Sequence, residues 1–257
     1  MKQIDQMRRR AARYLDVEAV NIAPATGVFS LSFDDIPATA WTEAGPILAE
    51  HGIRATYYVC GGLAGGRNMD RDQFQVRHLQ ELHAAGHEVG CHTYGHTSVL
   101  RMDAAALKLS LDANAAWVSE RLGGYEMTTF AYPFGDATLA AKRYVRDRFD
   151  LGRGVRDGVN AGREDRGLIK SIGLESRRLP HYDLEGLMTE AAASNGWLTA
   201  YAHDVSDDPT DYGCTPDDLD RVIRLAKAAG LEVRPVGEAW REMTRQAGSF
   251  RADGWRP

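Results

Sequence analysis

Along this chain one hydrophobic pattern returns at intervals: a helical segment closes on glycine and an apolar, strand-like run follows at once. It occurs at Ala49-Glu50-His51-Gly52 before 53–59 and at His83-Ala84-Ala85-Gly86 before 87–92. It recurs at Ala193-Ser194-Asn195-Gly196 before 197–203 and at Lys227-Ala228-Ala229-Gly230 before 231–236. Glycine just past a helix supplies the left-handed C′ residue, and the β-branched and aromatic residues beyond it suit a buried strand. Runs at 28–33, 128–132 and 151–155 bring the predicted strands to seven, with a weak eighth at 168–172. Helix starts are marked by Asp103 before an Ala/Leu-rich stretch to Leu122, Asp136 before a segment to Phe149, and Thr215-Pro216.

Strands that alternate with helices imply a parallel sheet. Seven or eight such units in 257 residues favour an α/β fold closed into a (β/α) barrel. Residues 156–182, rich in Gly, Arg and Asp, read as a long excursion from it. No linker, internal repeat or low-complexity tract divides the chain, so residues 1–257 are expected to form one domain.

Composition narrows the partners. The formal charge of −5 argues against a nucleic-acid-binding protein, whose footprint is basic. The basic run Arg8, Arg9, Arg10 and Arg13 reads as a solvated helix face. No stretch free of Asp, Glu, Lys and Arg reaches the roughly 18 residues of a membrane span. The N-terminal segment has positive charge but no apolar core after it, which does not fit a secretory signal. Cys60, Cys91 and Cys214 form no disulfide framework and read as free thiols in a reducing compartment. The expected location is therefore cytoplasmic, with oligomeric state open.

The unusual polar residues fall at predicted C-terminal strand ends. Asp34 and Asp35 end the first strand, and His92 ends the third with His96 in the loop after it. Tyr132-Pro133-Phe134-Gly135 ends the fourth, and His203-Asp204 ends the strand that starts at Trp197. That rim is where barrel enzymes assemble active sites. Asp35, His92 and His96 are candidate ligands of a divalent metal ion, the i, i+4 histidines sharing a side if their loop makes a helical turn. Two imidazoles and a carboxylate suit Zn²⁺, with Co²⁺, Ni²⁺ and Mn²⁺ also able to use such a site. Asp34 would remain as general base, provided the chain leaves strand geometry there, and His203 as general acid, with Asp204 placed to orient it. His51, His78, His83 and His87 read as surface or capping residues. Trp41, Tyr94, Trp197 and Tyr201 could form a sugar-stacking wall, although each alone fits a core position.

In this order the residues resemble the polysaccharide deacetylases of carbohydrate esterase family 4, the NodB-type homology domain. The family's T-F-D-D-G looks like Ser32-Phe33-Asp34-Asp35-Ile36, and its H-[ST]-x-x-H is matched by His92-Thr93-Tyr94-Gly95-His96. R-x-P-Y corresponds to Ala131-Tyr132-Pro133-Phe134, and L-x-H to Tyr201-Ala202-His203. The likeness spans about residues 27–240. It implies a deformed (β/α) barrel, Asp34 as base, Asp35, His92 and His96 as metal ligands, His203 as acid, and an oxyanion held at the Phe134 backbone N–H beside Tyr132 and Pro133. The activity it implies is removal of an N-acyl group, acetyl above all, from an amino sugar in a small or oligosaccharide substrate. Three features depart from the pattern. The base-orienting Arg is Ala131 here, with Arg153 or Arg156 as possible replacements; the Asp-Trp motif that supports the histidine is not found; Ile36 stands for Gly. Two other readings follow: a hydrolase of small cytoplasmic C–N substrates of the formamide or cyclic ureide type, and a catalytically silent carbohydrate-binding relative.

Overall fold

A computed structural model describes residues 2–249. We number the barrel strands only: β1 (Val28–Asp34), β2 (Thr56–Val59), β3 (Glu88–Cys91), β4 (Thr129–Ala131), β5 (Leu151–Arg153), β6 (Ile172–Gly173), β7 (Trp197–Ala202) and β8 (Glu232–Val233). All pair in parallel, in the order β6-β7-β1-β2-β3-β4-β5, with β8 beside β1. The weak eighth run joins the two sheet edges: Ile169 bridges Arg153 of β5, and three residues later Ile172 pairs with Ala200 of β7. β8 lies beside the start of β1, Glu232 opposite Val28, while Ser32–Asp34 pair with β2. The expected α/β barrel is present and is deformed by this split closure.

Alternate residues of β1 have different surroundings, as strand geometry requires. Phe29, Leu31 and Phe33 join the apolar cluster under the helices with Leu48, Leu79, Leu198 and Ile223. Ser30, Ser32 and Asp34 face the barrel axis, where the Trp197 Nε1–H donates to Ser30 Oγ (2.9 Å). The sealed end of the barrel is filled by Val28, Leu151, Ile169 and Trp197 against Val236, Trp240 and Met243 of the last helix, Val236–Ser249. That helix begins six residues after Gly230, so the run expected to reach Val236 as strand is cut to two residues. Its first N–H groups find acceptors inside: Val236 N donates to Thr56 Oγ1 and Gly237 N to Glu88 Oε2, each at 2.8 Å.

Other expectations change in detail. Asp103 and Thr215 cap as expected, accepting from Ala106 N and Asp218 N. The helix Leu139–Arg148 is capped by Thr138 rather than Asp136, whose carboxylate is taken by Arg9 and Ser98. Gly52, Gly86 and Gly230 adopt the left-handed conformation, but Asn195 takes it in place of Gly196. The excursion 156–182 is structured, since Gly162–Asp165 pairs antiparallel with Ala19–Ile22 and the segment supplies β6. His87 is a core residue. Its Nδ1 accepts from Ala55 N, its ring meets Tyr57 and Trp41 edge-on, and burial pushes its pKa down to about 4. His78 is also buried, in a capping box with Gln75. The three cysteines are buried and free. No helix among the described residues is long and apolar enough to cross a membrane.

Candidate active site and metal centre

At the end of β1 the chain leaves strand geometry abruptly. Asp35 and Ile36 both take positive φ (62° and 61°), and Ile36 N donates to Asp34 O at 2.6 Å. The reversal turns adjacent carboxylates to different tasks, with Asp34 facing the barrel axis and Asp35 the histidines. Asp35 Oδ1 lies 3.7 Å from His92 Nε2 and 3.4 Å from His96 Nε2, and one donor atom from each of the three lies within 4.8 Å of the others. For bonds of about 2.1 Å, the edge of a coordination tetrahedron is about 3.4 Å, so the donor spacing fits a Zn²⁺-sized ion. Asp35 Oδ2 accepts from Asn68 Nδ2 (3.0 Å), which holds the carboxylate in this orientation.

The histidines are prepared in the same sense. His92 Nδ1 bonds the Ala131 carbonyl (2.8 Å), so Nδ1 carries the hydrogen and Nε2 keeps its lone pair toward the cluster. Burial drives the His92 pKa down to about 4 and lowers that of His96, leaving both imidazoles neutral near pH 7, as ligands must be. The loop between them is not the helical turn expected from their spacing. Thr93 (φ 63°) and His96 (φ 48°) are left-handed, and this brings the ring centroids to 5.1 Å.

Asp34 is buried beside Arg153, whose Nη2 donates to both carboxylate oxygens, at 2.5 Å to Oδ2. Burial pushes the Asp34 carboxyl up, but Arg153, then His92 and His203, outweigh it and hold its pKa below the ordinary value. The guanidinium is completely buried between the rings of Tyr58 and Tyr201, 5.1 and 4.9 Å from their centroids. Arg153 is the register partner of Ala131, so the charge reaches the axis from the next strand at the same level. Arg156 is instead turned to Glu164, 3.8 Å away.

His203 follows β7 at the level of Asp34, because Ala202 pairs with Phe33. Its Nδ1 bonds the Tyr212 carbonyl (3.2 Å), leaving Nε2 open. Asp204 does not orient it. That buried carboxylate accepts from Arg71 Nε and the Thr210 N–H, tying the loop after β7 to the short hairpin 67–72. Phe134 stands at φ 60° with its ring mostly exposed, 4.4 Å from that of His96. Tyr132 is buried and donates its hydroxyl to Gly167 O (3.0 Å), and Pro133 opens the short 3₁₀ turn Pro133–Gly135 that carries Phe134.

Asp34, Asp35, His92, His96, Tyr132, Phe134 and His203 line one cavity of about 490 Å³. Of the four aromatics considered for stacking, Tyr201 lines it, whereas Trp197 is core and Trp41 packs on Tyr57. Five lining residues were not anticipated: Asn68, Met69, Val155, Glu175 and Tyr212. Glu175 could have been suspected as a carboxylate just past a weak strand; its oxygens are turned to Arg177 and Arg178.

Residues 22–148 match the family model described as Polysaccharide deacetylase. A chitin deacetylase of Pestalotiopsis sp is 29% identical over 79 residues, covering 31% of this chain and 25% of the relative. Across the curated relatives matched, 16% to 42% of the relative's length is covered. Among solved structures, a family 4 acetyl xylan esterase from Clostridium thermocellum, in complex with a cobalt ion, aligns with a TM-score of 0.55 at 19% identity, covering 83% of this chain and 90% of that one. The carbohydrate esterase domain of a multidomain xylanase from the hindgut metagenome of Trinervitermes trinervoides aligns at 0.56 and 15% identity, over 85% and 92%. At these identities the likeness is one of fold. Arg153 and His203 lie beyond the stretch matched by the family model.

Proposed function

Because this chain belongs to the polysaccharide deacetylase family, we propose that it is a metal-dependent hydrolase removing an N-acyl group, acetyl by preference, from an amino sugar or related carbohydrate. The reading rests above all on the second carboxylate: Asp34 stays out of the ligand cluster, buried and paired with Arg153 beside three prepared ligands. A divalent ion on Asp35, His92 and His96, zinc by preference, would supply a Lewis acid that polarises the amide carbonyl and acidifies water. Asp34 takes the proton of the attacking water. Arg153 keeps that carboxylate ionised and fixes its direction. His203, with Nδ1 anchored on Tyr212 O, presents Nε2 to protonate the leaving amine. The Phe134 backbone N–H, turned by its left-handed φ, faces the developing oxyanion. Residues 27–240 form the catalytic unit.

Ala131 and the missing Asp-Trp motif speak for the silent-binding reading, but the catalytic reading is better supported, since base, acid and ligand set all line one cavity. The direct test is acetate release from N-acetylglucosamine oligomers by protein loaded with zinc, cobalt or nickel. Release that stops on chelation is the expected result. None with any of these metals would remove the reading.

A further inference from the structure

His203 is anchored from a loop. Its Nδ1 bonds the Tyr212 carbonyl (3.2 Å), a neutral acceptor on a residue that is itself 46% exposed. The ring is therefore directed only as well as that loop is held. The loop closes on itself: Val205 bridges Cys214, while Cys214 N donates to Asp204 O and Gly213 N to Thr210 O, each at 3.0 Å. At its centre lies the Asp204 carboxylate, fully buried. Its Oδ2 accepts from Thr210 N (2.9 Å) and from Arg71 Nε (3.2 Å), and its Oδ1 from the Thr210 hydroxyl. A Cβ built on Gly213 would stand 2.3 Å from Asp204 Oδ1, so the backbone next to Tyr212 rests directly on this carboxylate.

Arg71 comes from outside the loop. It is the one cation paired with Asp204 among the described residues, and its Nη2 also donates to Asp208 O. A buried carboxylate stripped of its cation is strongly destabilised, so the packing of the loop depends on this contact. Arg71 belongs to the hairpin of Arg67–Asn68 and Arg71–Asp72, whose turn residues Met69 and Asp70 are both left-handed (φ 50° and 57°). Buried Gln73 braces the hairpin, its Nε2 donating to the carbonyls of Asn68 and Arg71 at 3.3 Å each. The other strand carries Asn68, which holds Asp35. One short hairpin thus steadies both the ligand cluster and the acid.

We propose that Arg71 is a positioning residue for the acid: through Asp204 and the loop 204–214 it holds the Tyr212 carbonyl, which aims His203 Nε2 at the leaving nitrogen. As the C–N bond breaks, the Nε2 proton passes to that nitrogen, a transfer that requires hydrogen-bond reach. The inference rests on the deacetylase reading. An amine leaves only with a proton, whereas para-nitrophenolate leaves as the anion, so the two leaving groups separate the acid from the rest of the site. The test compares zinc-loaded wild type, Arg71→Met and Arg71→Lys for kcat/KM on an N-acetylglucosamine oligomer and on para-nitrophenyl acetate, with zinc content measured in each. Arg71→Met should lose about tenfold on the amide, a part of what a general acid contributes, and stay within about twofold on the ester. It should keep its zinc, and Arg71→Lys should recover part of the loss. Equal losses on both substrates, or no loss on either, would overturn the assignment of Arg71 and leave the deacetylase reading intact. Wild type that cleaves the ester but not the amide would remove the deacetylase reading, and this inference with it.

Discussion

The two ends of this barrel reverse the chain in different ways. At the sealed end the left-handed residues include Gly52, Gly86, Asn195 and Gly230, each just past a helix, where only chain reversal is needed. At the open end they include Asp35, Ile36, Thr93, His96 and Phe134, two of them β-branched. A side chain in that conformation costs of order 1–3 kcal/mol. The open end bears this strain at the residues that present Asp35, separate it from Asp34, bring His92 to His96 and turn the Phe134 N–H. Conformational cost is therefore concentrated where ligand direction matters, and the sealed end uses glycine and asparagine.

The sharpest way to break this contrast is at the base. Asp34→Asn should keep its metal content and lose about 10²- to 10⁴-fold in deacetylation rate, as for removal of a general base. Full activity would refute the assignment. Next, Arg153→Leu leaves Asp34 buried without its partner, and denaturant unfolding should show a loss of about 3–5 kcal/mol. The matching change at the sealed end, Arg54→Ala, breaks a half-exposed pair with Glu238 and should cost under about 1 kcal/mol. Equal losses would show that the two ends do not differ in this respect.

His87, at the sealed end, gives a pH test away from the metal ligands. Its folded pKa of about 4 lies below the ordinary value of 6.5. Between these values the unfolded chain binds the extra proton, so stability should fall as pH drops from 6.5 toward 4 and be unaffected above. The full effect is roughly 3 kcal/mol. His87→Asn should flatten that part of the Tm-against-pH curve, and parallel curves would exclude His87 as the source. A smaller effect than that of His87 is expected at Gly52, where an added Cβ meets open space but φ is 62°. Gly52→Ala should cost about 1 kcal/mol by chemical denaturation and leave metal affinity untouched.

The sealed end was the more legible from sequence, because glycine before an apolar run is a local signal. Strands β2, β3 and β7 were placed to within a few residues by it. The candidate metal cluster was legible for another reason: Asp35, beside Asp34, and His92/His96 form compact groups at strand ends. Contacts set by register were not legible. Arg153 and Arg156 were both candidates for the missing base-orienting Arg, and only the register of Arg153 with Ala131 on the neighbouring strand selects the one that reaches Asp34. Asn68 acts from a two-stranded hairpin too short for a periodic signal. His87 was misread as a capping residue, since its burial comes from Tyr57 and Trp41 on other elements. Asp204 failed as the partner of His203 because adjacent residues leaving a strand need not share a direction.

The central claim is that Asp35, His92 and His96 hold one divalent ion, and elemental analysis of purified wild type and the His92→Ala/His96→Ala double variant tests it most directly. The account predicts about one ion per chain in the wild type, zinc above all, and none in the variant. Wild type that binds no metal, even after exposure to zinc, cobalt or nickel, would contradict it.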